Sequence, residues 1–405
     1  MTLPRSPTEM AKPRDRLRFG LAAAWPGLAG RWRYPQPLSG DLESMGTRDI
    51  AYWLYKSSHP IRRAERGSGL EAFFKSQAGE CSVEPPDGMA GQRELRISAA
   101  GDLMTHPFLA GSGAALYASV AELFRADLTL ANLECVVAER GPGLELDLDS
   151  GPLLVMSPAE LDAACTLGDR RFDFVTIANN HTLDLGPAGV DSTIAALRAR
   201  GIAFHGANAT DADALEPAIV ERNGIRIGIL AHTFGLNGKK PPRERPRIVN
   251  RTNLNDVAER VDLELFCAQL DACRRASVDF VVAQLHWGME FEFSPRQSQV
   301  AFAHRIAELG VDLVLGHHPH VVQPVEFFRP SREPTRVVPI YYSLGNLINP
   351  FSADYFCRSG LADVTLVHGI VGGVRKTLVR RAALRLVDQA ADLESRALRL
   401  APAPA

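Results

Sequence analysis

Residues 313–326 read LVLGHHPHVVQPVE, an apolar run that opens onto three histidines within four positions, His317, His318 and His320. The chain holds only 11 histidines, so this concentration of imidazole is a feature to be explained. Leu313 to Leu315 have the apolarity of a buried strand, and a strand whose carboxyl end carries the polar residues is the pattern of an α/β sheet with a site on its rim. In an extended H-x-H, alternate side chains point to one side, so His318 and His320 can meet one ion.

The same arrangement recurs along the chain. "LRISAAGD", "LTLANLE", "FDFVTIANNH", "IRIGILAHT", "DFVVAQLHWG" and "VVPIYYSLGN" read as further buried strands. Nearly every one runs straight into a polar residue: Asp102, Glu134, Asn180 with His181, and His286. Segments with helix punctuation lie between them. "SPAE" from Ser157 and "SPRQ" from Ser294 each offer an N-cap serine, a proline at the first helical position, and Glu or Gln three residues after the cap. In "GPAGVDSTIAALRARG", Val190, Ile194 and Leu197 share one helical face and Gly201 supplies a stop. Alternation of strand and helix over some 250 residues predicts an α/β layered domain.

Composition narrows the partners. A net charge of −2 from 45 basic and 47 acidic side chains gives no global reason to bind nucleic acid or an anionic membrane. No run reaches the roughly 20 apolar residues a membrane span needs. Six scattered cysteines without a C-x-x-C pair point to a reduced compartment, hence a cytoplasmic location. Residues 1–93 show no sustained period and read as an irregular N-terminal extension with one helix around "DIAYWLYK". Residues 94–350 form the domain, 351–388 add strands to it, and 389–405, ending in "APAPA", read as a tail.

The residues gathered at the strand ends are Asp, Glu, Asn and His without thiolate, the donor set of hard to borderline divalent cations. Single members have plainer readings: Asp102 alone suits a turn, and His286 beside Trp287 suits a partly buried histidine. Asp184, three residues beyond His181, reads equally as a residue orienting that histidine and as a cap before "GPAG". Ser343 and Asn346 could present donors at the site edge or serve the turn that contains them. The loop "GKKPPRERPR" (238–247) places Lys239, Lys240 and Arg243 either in a solvated loop or on an anion-collecting lip.

Over residues 94–350 the sequence resembles the bacterial capsule-synthesis proteins of the CapA type, associated with poly-γ-glutamate capsule. The motifs that carry this are "GDLM" at Gly101, "NLE" at Asn132, "ANNHTLDLGPAGVDSTIAALRARGI" from Ala178, "HWGMEFE" at His286, the long stretch from Gln297 through His320, and "YSLGN" at Tyr342. That family looks like a branch of the calcineurin-like metallophosphoesterases, which implies an α-β-β-α sandwich of two packed sheets flanked by helices.

The resemblance also implies roles: Asp102, Asn180, His286, His318 and His320 as metal ligands, and His181 as general acid beside them. Two positions depart from the superfamily pattern. Met104 stands where its first motif has a histidine, leaving His106 as a substitute, and Glu134 stands as bridge where an aspartate is expected. His317 and Trp287 are assigned to the substrate side of the site. The implied cofactors are two divalent ions, manganese, zinc or iron, with a bound hydroxide that attacks phosphorus. The implied partner is an anionic small molecule or polymer, a phosphoester or polyglutamate, together with other capsule-synthesis proteins. The alternative is a non-catalytic factor for assembly or export of poly-γ-glutamate that keeps the site for binding.

Overall fold

The computed structural model describes residues 3–38, 40–77, 79–139, 143–146 and 152–404. Two sheets form its centre. In the first, the strands Ala90–Leu103, Leu128–Leu133, Phe174–Thr176 and Ala203–His205 run parallel in that order. Arg358–Val371 pairs antiparallel on the other side of Ala90–Leu103, and Val374–Asp392 pairs with it in turn. The second sheet has four parallel central strands, Ile225–Thr233, Phe280–His286, Leu313–His317 and Val338–Tyr341, with antiparallel strands Ala218–Arg222 and Val325–Phe328 at its edges.

The apolar runs read as strands are buried on both faces because each sheet is covered twice. Ile97, Leu128, Leu130 and Phe174 of the first sheet pack with Ile227, Ile229, Val282 and Leu315 of the second in one cluster. Leu161, Val190, Ile194 and Leu197, from helices Pro158–Cys165 and Gly186–Ala199, pack with Leu133, Val175 and Ile177. Phe266, Leu270, Phe302 and Ile306, from helices Glu264–Arg275 and Gln297–Leu309, pack with Ala283, Leu285 and Val314. Helix, sheet, sheet, helix is therefore the layer order, and each such fully buried side chain contributes roughly 1.5–3 kcal/mol.

The local signals hold in most places. Ser157 caps Pro158–Cys165 with a reciprocal Ser157–Glu160 capping box, and Gly201 follows Gly186–Ala199 with φ of 65°. The "SPRQ" helix starts later than its punctuation suggests, at Gln297. Arg296 instead binds Glu292 through two nitrogens, which holds the residues before the helix in a loop.

Both ends of the chain are more ordered than their sequence implies. The expected tail 389–405 contains the strand Ala397–Pro402, antiparallel to Val374–Asp392. Its Leu398 and Leu400 are buried in the outer core of the first sheet, so apolar alternation outweighs the Pro and Ala that suggested fraying. The N-terminal region holds two substantial helices, Pro13–Leu28 and Thr47–Ser58, with a small core of Phe19, Trp32, Tyr52 and Leu54. It is pinned to the sandwich by Lys56, 1% exposed, whose ammonium lies 2.8 Å from Glu292 Oε1. Among the described residues, no helix is long and apolar enough to cross a membrane.

Candidate metal centre

The carboxyl ends of both sheets meet at one rim. Asp102 ends the strand Ala90–Leu103, Glu134 follows Leu128–Leu133, and Asn180 and His181 follow Phe174–Thr176. From the second sheet come His286, at the end of Phe280–His286, and His317, His318 and His320. Close approach at the seam requires glycine. A Cβ on Gly101 would stand 2.0 Å from the Gly345 carbonyl oxygen, and one on Gly316 2.0 Å from that of Tyr342.

The strand ends at His317, so His318 and His320 are brought together by a turn and not by strand alternation. Both have left-handed backbone, with φ of 95° and 58°, a conformation that costs a non-glycine residue of order 1–3 kcal/mol. Such strain collects at functional sites. Glu134, His286 and His318 present potential ligand atoms within 4.8 Å of one another, as do Asp102, Glu134 and His320, and Glu290, His318 and His320. His286 Nε2 lies 2.9 Å from Asn180 Oδ1 and 3.4 Å from Glu134 Oε1.

Neighbouring groups orient these donors. His317 Nδ1 lies 2.9 Å from Asp102 Oδ1, and the Asn132 amide donates to the same oxygen at 2.8 Å. Asn346 Oδ1 lies 2.8 Å from His320 Nδ1, which directs His320 Nε2 toward Glu134 and Glu290. His181 Nδ1 meets Asp184 Oδ2 at 2.7 Å.

Burial and charge set the protons. Burial would raise the Asp102 carboxyl, but the hydrogen bond with His317 and the His320 imidazole 3.6 Å away outweigh it and hold Asp102 well below the usual range. Burial, reinforced by the Asp102 charge, pushes Glu134 well above. Burial also lowers His286 and His318, which favours their neutral imidazoles, and His318 Nδ1 is buried without a hydrogen-bond partner. For His320 burial is outweighed by Glu134, Asp102 and Glu290, and its pKa rises.

The donor set tests well against a divalent cation. Both oxygens of Glu134 are buried without a hydrogen-bond partner, and so are His318 Nδ1 and His317 Nε2. A fully buried carboxylate with neither oxygen satisfied costs several kcal/mol unless it is paired or coordinates a metal. Oxygen and imidazole donors without thiolate suit a divalent cation.

The model of the bacterial capsule synthesis protein family PGA_cap matches residues 96–350, more than half of the chain. The chain belongs to this family. Among curated relatives, the PGA biosynthesis protein CapA of Bacillus subtilis is 30% identical over 45% of this chain and 44% of its own length. A probable polyglutamine synthesis accessory protein of Mycobacterium tuberculosis is 30% identical over 58% of each chain. The chain thus spans about half the length of the curated relatives it matches. The solved structure of the calcineurin-like phosphoesterase YfkN from Bacillus subtilis covers 73% of this chain and 91% of its own, at 13% identity and a TM-score of 0.36.

In this PGA_cap chain, Asp102, Glu134, Asn180, His286, His318 and His320 converge as a group, while other anticipated site residues lie elsewhere or act indirectly. His106 is in none of the ligand clusters; its Nδ1 accepts from the Phe108 N–H at 3.0 Å. Trp287 is wholly buried against Phe302 and Tyr342 and donates to the Tyr342 carbonyl, which makes it a core residue and not a substrate contact. Ser343 Oγ accepts from the Gly345 N–H and serves its turn. His317 and Asn346 are buried and hold Asp102 and His320. On the loop 238–247, Lys239 reaches Asp184 Oδ1 at 3.2 Å, Lys240 pairs with Glu43, and Arg243 is exposed.

Sequence reasoning passed over Asn132, Glu290 and the N-terminal Trp53. Asn132 and Glu290 lay inside the quoted motifs "NLE" and "HWGMEFE", two positions before Glu134 and four after His286, where polar residues inside apolar runs were the available signal. Trp53 carried no such signal, because its indole N–H meets the Glu290 carboxylate only through the tertiary fold.

Proposed function

We propose that this chain is a metal-dependent phosphoester hydrolase of the capsule-synthesis type. The observation that carries the reading is Glu134, whose buried carboxyl group has two oxygens without a hydrogen-bond partner, one of them, Oε1, 3.4 Å from His286 Nε2 and 3.8 Å from His320 Nε2. Asp102, Glu134 and His320 would hold one divalent ion, and Glu134, Asn180, His286 and His318 a second. When bound, such ions supply Lewis acidity and a hydroxide at neutral pH.

The remaining work falls to the protein. His181, tied through Nδ1 to Asp184, lines a cavity together with Glu290 and His320 and would protonate the leaving alkoxide from Nε2. Asp184 fixes the tautomer that makes this possible. Lys239, beside Asp184, would attract the anionic substrate. Trp53, Leu146 and Phe351 give the same cavity an apolar wall. The cysteines are free, in keeping with a reducing, cytoplasmic setting.

The word accessory in the mycobacterial relative's name favours a second reading, a non-catalytic factor in assembly or export of a polyglutamate polymer that keeps the site for binding. Metal analysis of the purified protein, followed by a phosphoester screen with added manganese, separates the two. Bound metal with turnover supports the hydrolase; bound metal with no turnover across aryl and alkyl phosphomonoesters and diesters supports the accessory factor, and absence of bound metal sinks both.

A further inference from the structure

We propose that Glu290 is a ligand of this metal centre, and that Trp53, from the N-terminal helix Thr47–Ser58, positions it there. The inference rests on reading the cluster as a metal centre. Asp102, Glu134 and His320 converge as three donors, whereas ions that take oxygen and imidazole use four or more. Among the described residues, Met104 packs in the outer core with Leu103 and Phe108, and His106, although its Nε2 is buried without a partner, belongs to none of the clusters that could hold an ion.

Glu290, from the loop after the second-sheet strand Phe280–His286, approaches His320 of that cluster. Its Oε1 lies 3.5 Å from His320 Nε2, and its carboxylate, His318 and His320 offer donor atoms within 4.8 Å of one another. Its other oxygen, Oε2, accepts the Trp53 indole N–H. One oxygen held by a neutral donor and one left toward the imidazoles is how a ligating carboxylate is oriented by a supporting residue.

The support extends to the loop itself. The Ile61 N–H donates to the Phe291 carbonyl at 2.8 Å, and the Phe293 N–H returns a bond to the Ile61 carbonyl at 2.9 Å. Lys56 and Arg296 both clasp Glu292. Phe291, between the two glutamates, is held in left-handed backbone with φ of 62°, which directs Glu290 and Glu292 to different partners. The N-terminal region therefore fixes the residue that would complete the ion's coordination.

The test is equilibrium Mn²⁺ binding to the full chain, measured by dialysis with elemental analysis, for the parent, Glu290→Gln and Trp53→Phe. Glu290→Gln keeps the shape and removes the charge; it should weaken one of two ions at least tenfold and leave the other in place. Trp53→Phe keeps an aromatic ring against Phe291 and removes only the indole N–H; it should weaken that same ion by a smaller factor, about threefold, with an unchanged circular dichroism spectrum. A role in packing alone would not move metal affinity in Trp53→Phe. Two ions bound by Glu290→Gln with parental affinities would overturn the assignment while leaving the metal centre standing. A parent chain that binds no Mn²⁺ would overturn the metal centre and this assignment together.

Discussion

Asp184 Oδ2 lies 2.7 Å from His181 Nδ1 and 2.6 Å from the Leu154 backbone nitrogen. Its other oxygen meets Lys239. The carboxylate is thus spent on orienting His181, and it does not cap the helix Gly186–Ala199 that begins two residues later. Replacing His181 with alanine should leave bound metal unchanged and slow hydrolysis of alkyl phosphoesters by about 10²-fold or more, with the smallest loss for nitrophenyl esters whose leaving group needs no proton. Asp184→Asn should follow the same leaving-group pattern more mildly. Equal losses for good and poor leaving groups would remove His181 from the role of acid.

His318 and His320 should each be indispensable for metal. Glycine is the informative replacement, because it accepts the left-handed backbone that alanine would strain and offers no ligand atom. His318→Gly and His320→Gly should each lower bound divalent metal by at least one ion while the urea midpoint of the metal-free protein stays close to the parent's. Full metal content in both variants would refute the ligand assignment.

Lys239 and Lys240 are neighbours in sequence with different surroundings. Lys239 is tucked beside Asp184, the partner of His181, whereas Lys240 is exposed and paired with Glu43. Lys239→Met should raise KM for an anionic phosphoester severalfold and flatten its dependence on salt, with kcat changed less. Lys240→Met should leave both nearly as they are. Identical kinetics in the two variants would show that residues 238–247 are only a solvated loop.

His205 gives a pH prediction away from the site. Its Nδ1 accepts from the Ala231 N–H and its Nε2 donates to the Glu216 carbonyl, so a second proton finds no acceptor, and burial lowers its pKa from 6.5 to about 4. The unfolded chain takes up this proton near pH 6.5 and the folded chain only near pH 4. The stability carried by neutral His205 is therefore complete above pH 6.5 and is lost as pH falls toward 4, roughly 3 kcal/mol in all. His205→Gln should start less stable at pH 7 and lose correspondingly less on acidification, as read from urea denaturation in EDTA. Parallel acid profiles for the two proteins would contradict it.

The sandwich was legible in the sequence because its strands are short, apolar and buried on both faces, and because each ends in a polar residue that a buried strand would not otherwise carry. Asp102, Glu134, His286 and His318 could be named on that ground alone. What the sequence hid was whatever depends on side chains meeting across distant segments. Trp287 looks like a site residue by adjacency to His286, yet it lies just past the strand end and packs into the outer core on Phe302 and Tyr342. Glu290 looks like a loop glutamate until His320 and Trp53 are placed beside it. The strand Ala397–Pro402 is short and rich in alanine and proline, and only Leu398 and Leu400 betray it.

The pairing order of the first sheet bears on how the chain is made. Ala90–Leu103, which carries Asp102, is bordered by Leu128–Leu133 on one side and by Arg358–Val371 on the other. The Asp102 N–H also binds the Gly345 carbonyl at 2.9 Å. With ribosomes adding about 5–20 residues per second, the strand that starts the sheet waits for roughly 250 further residues, some tens of seconds, before its second neighbour exists. Throughout that interval one edge of the strand is open to other nascent chains over its apolar second half, and the charged Arg93, Glu94 and Arg96 of its first half are what the sequence sets against such pairing.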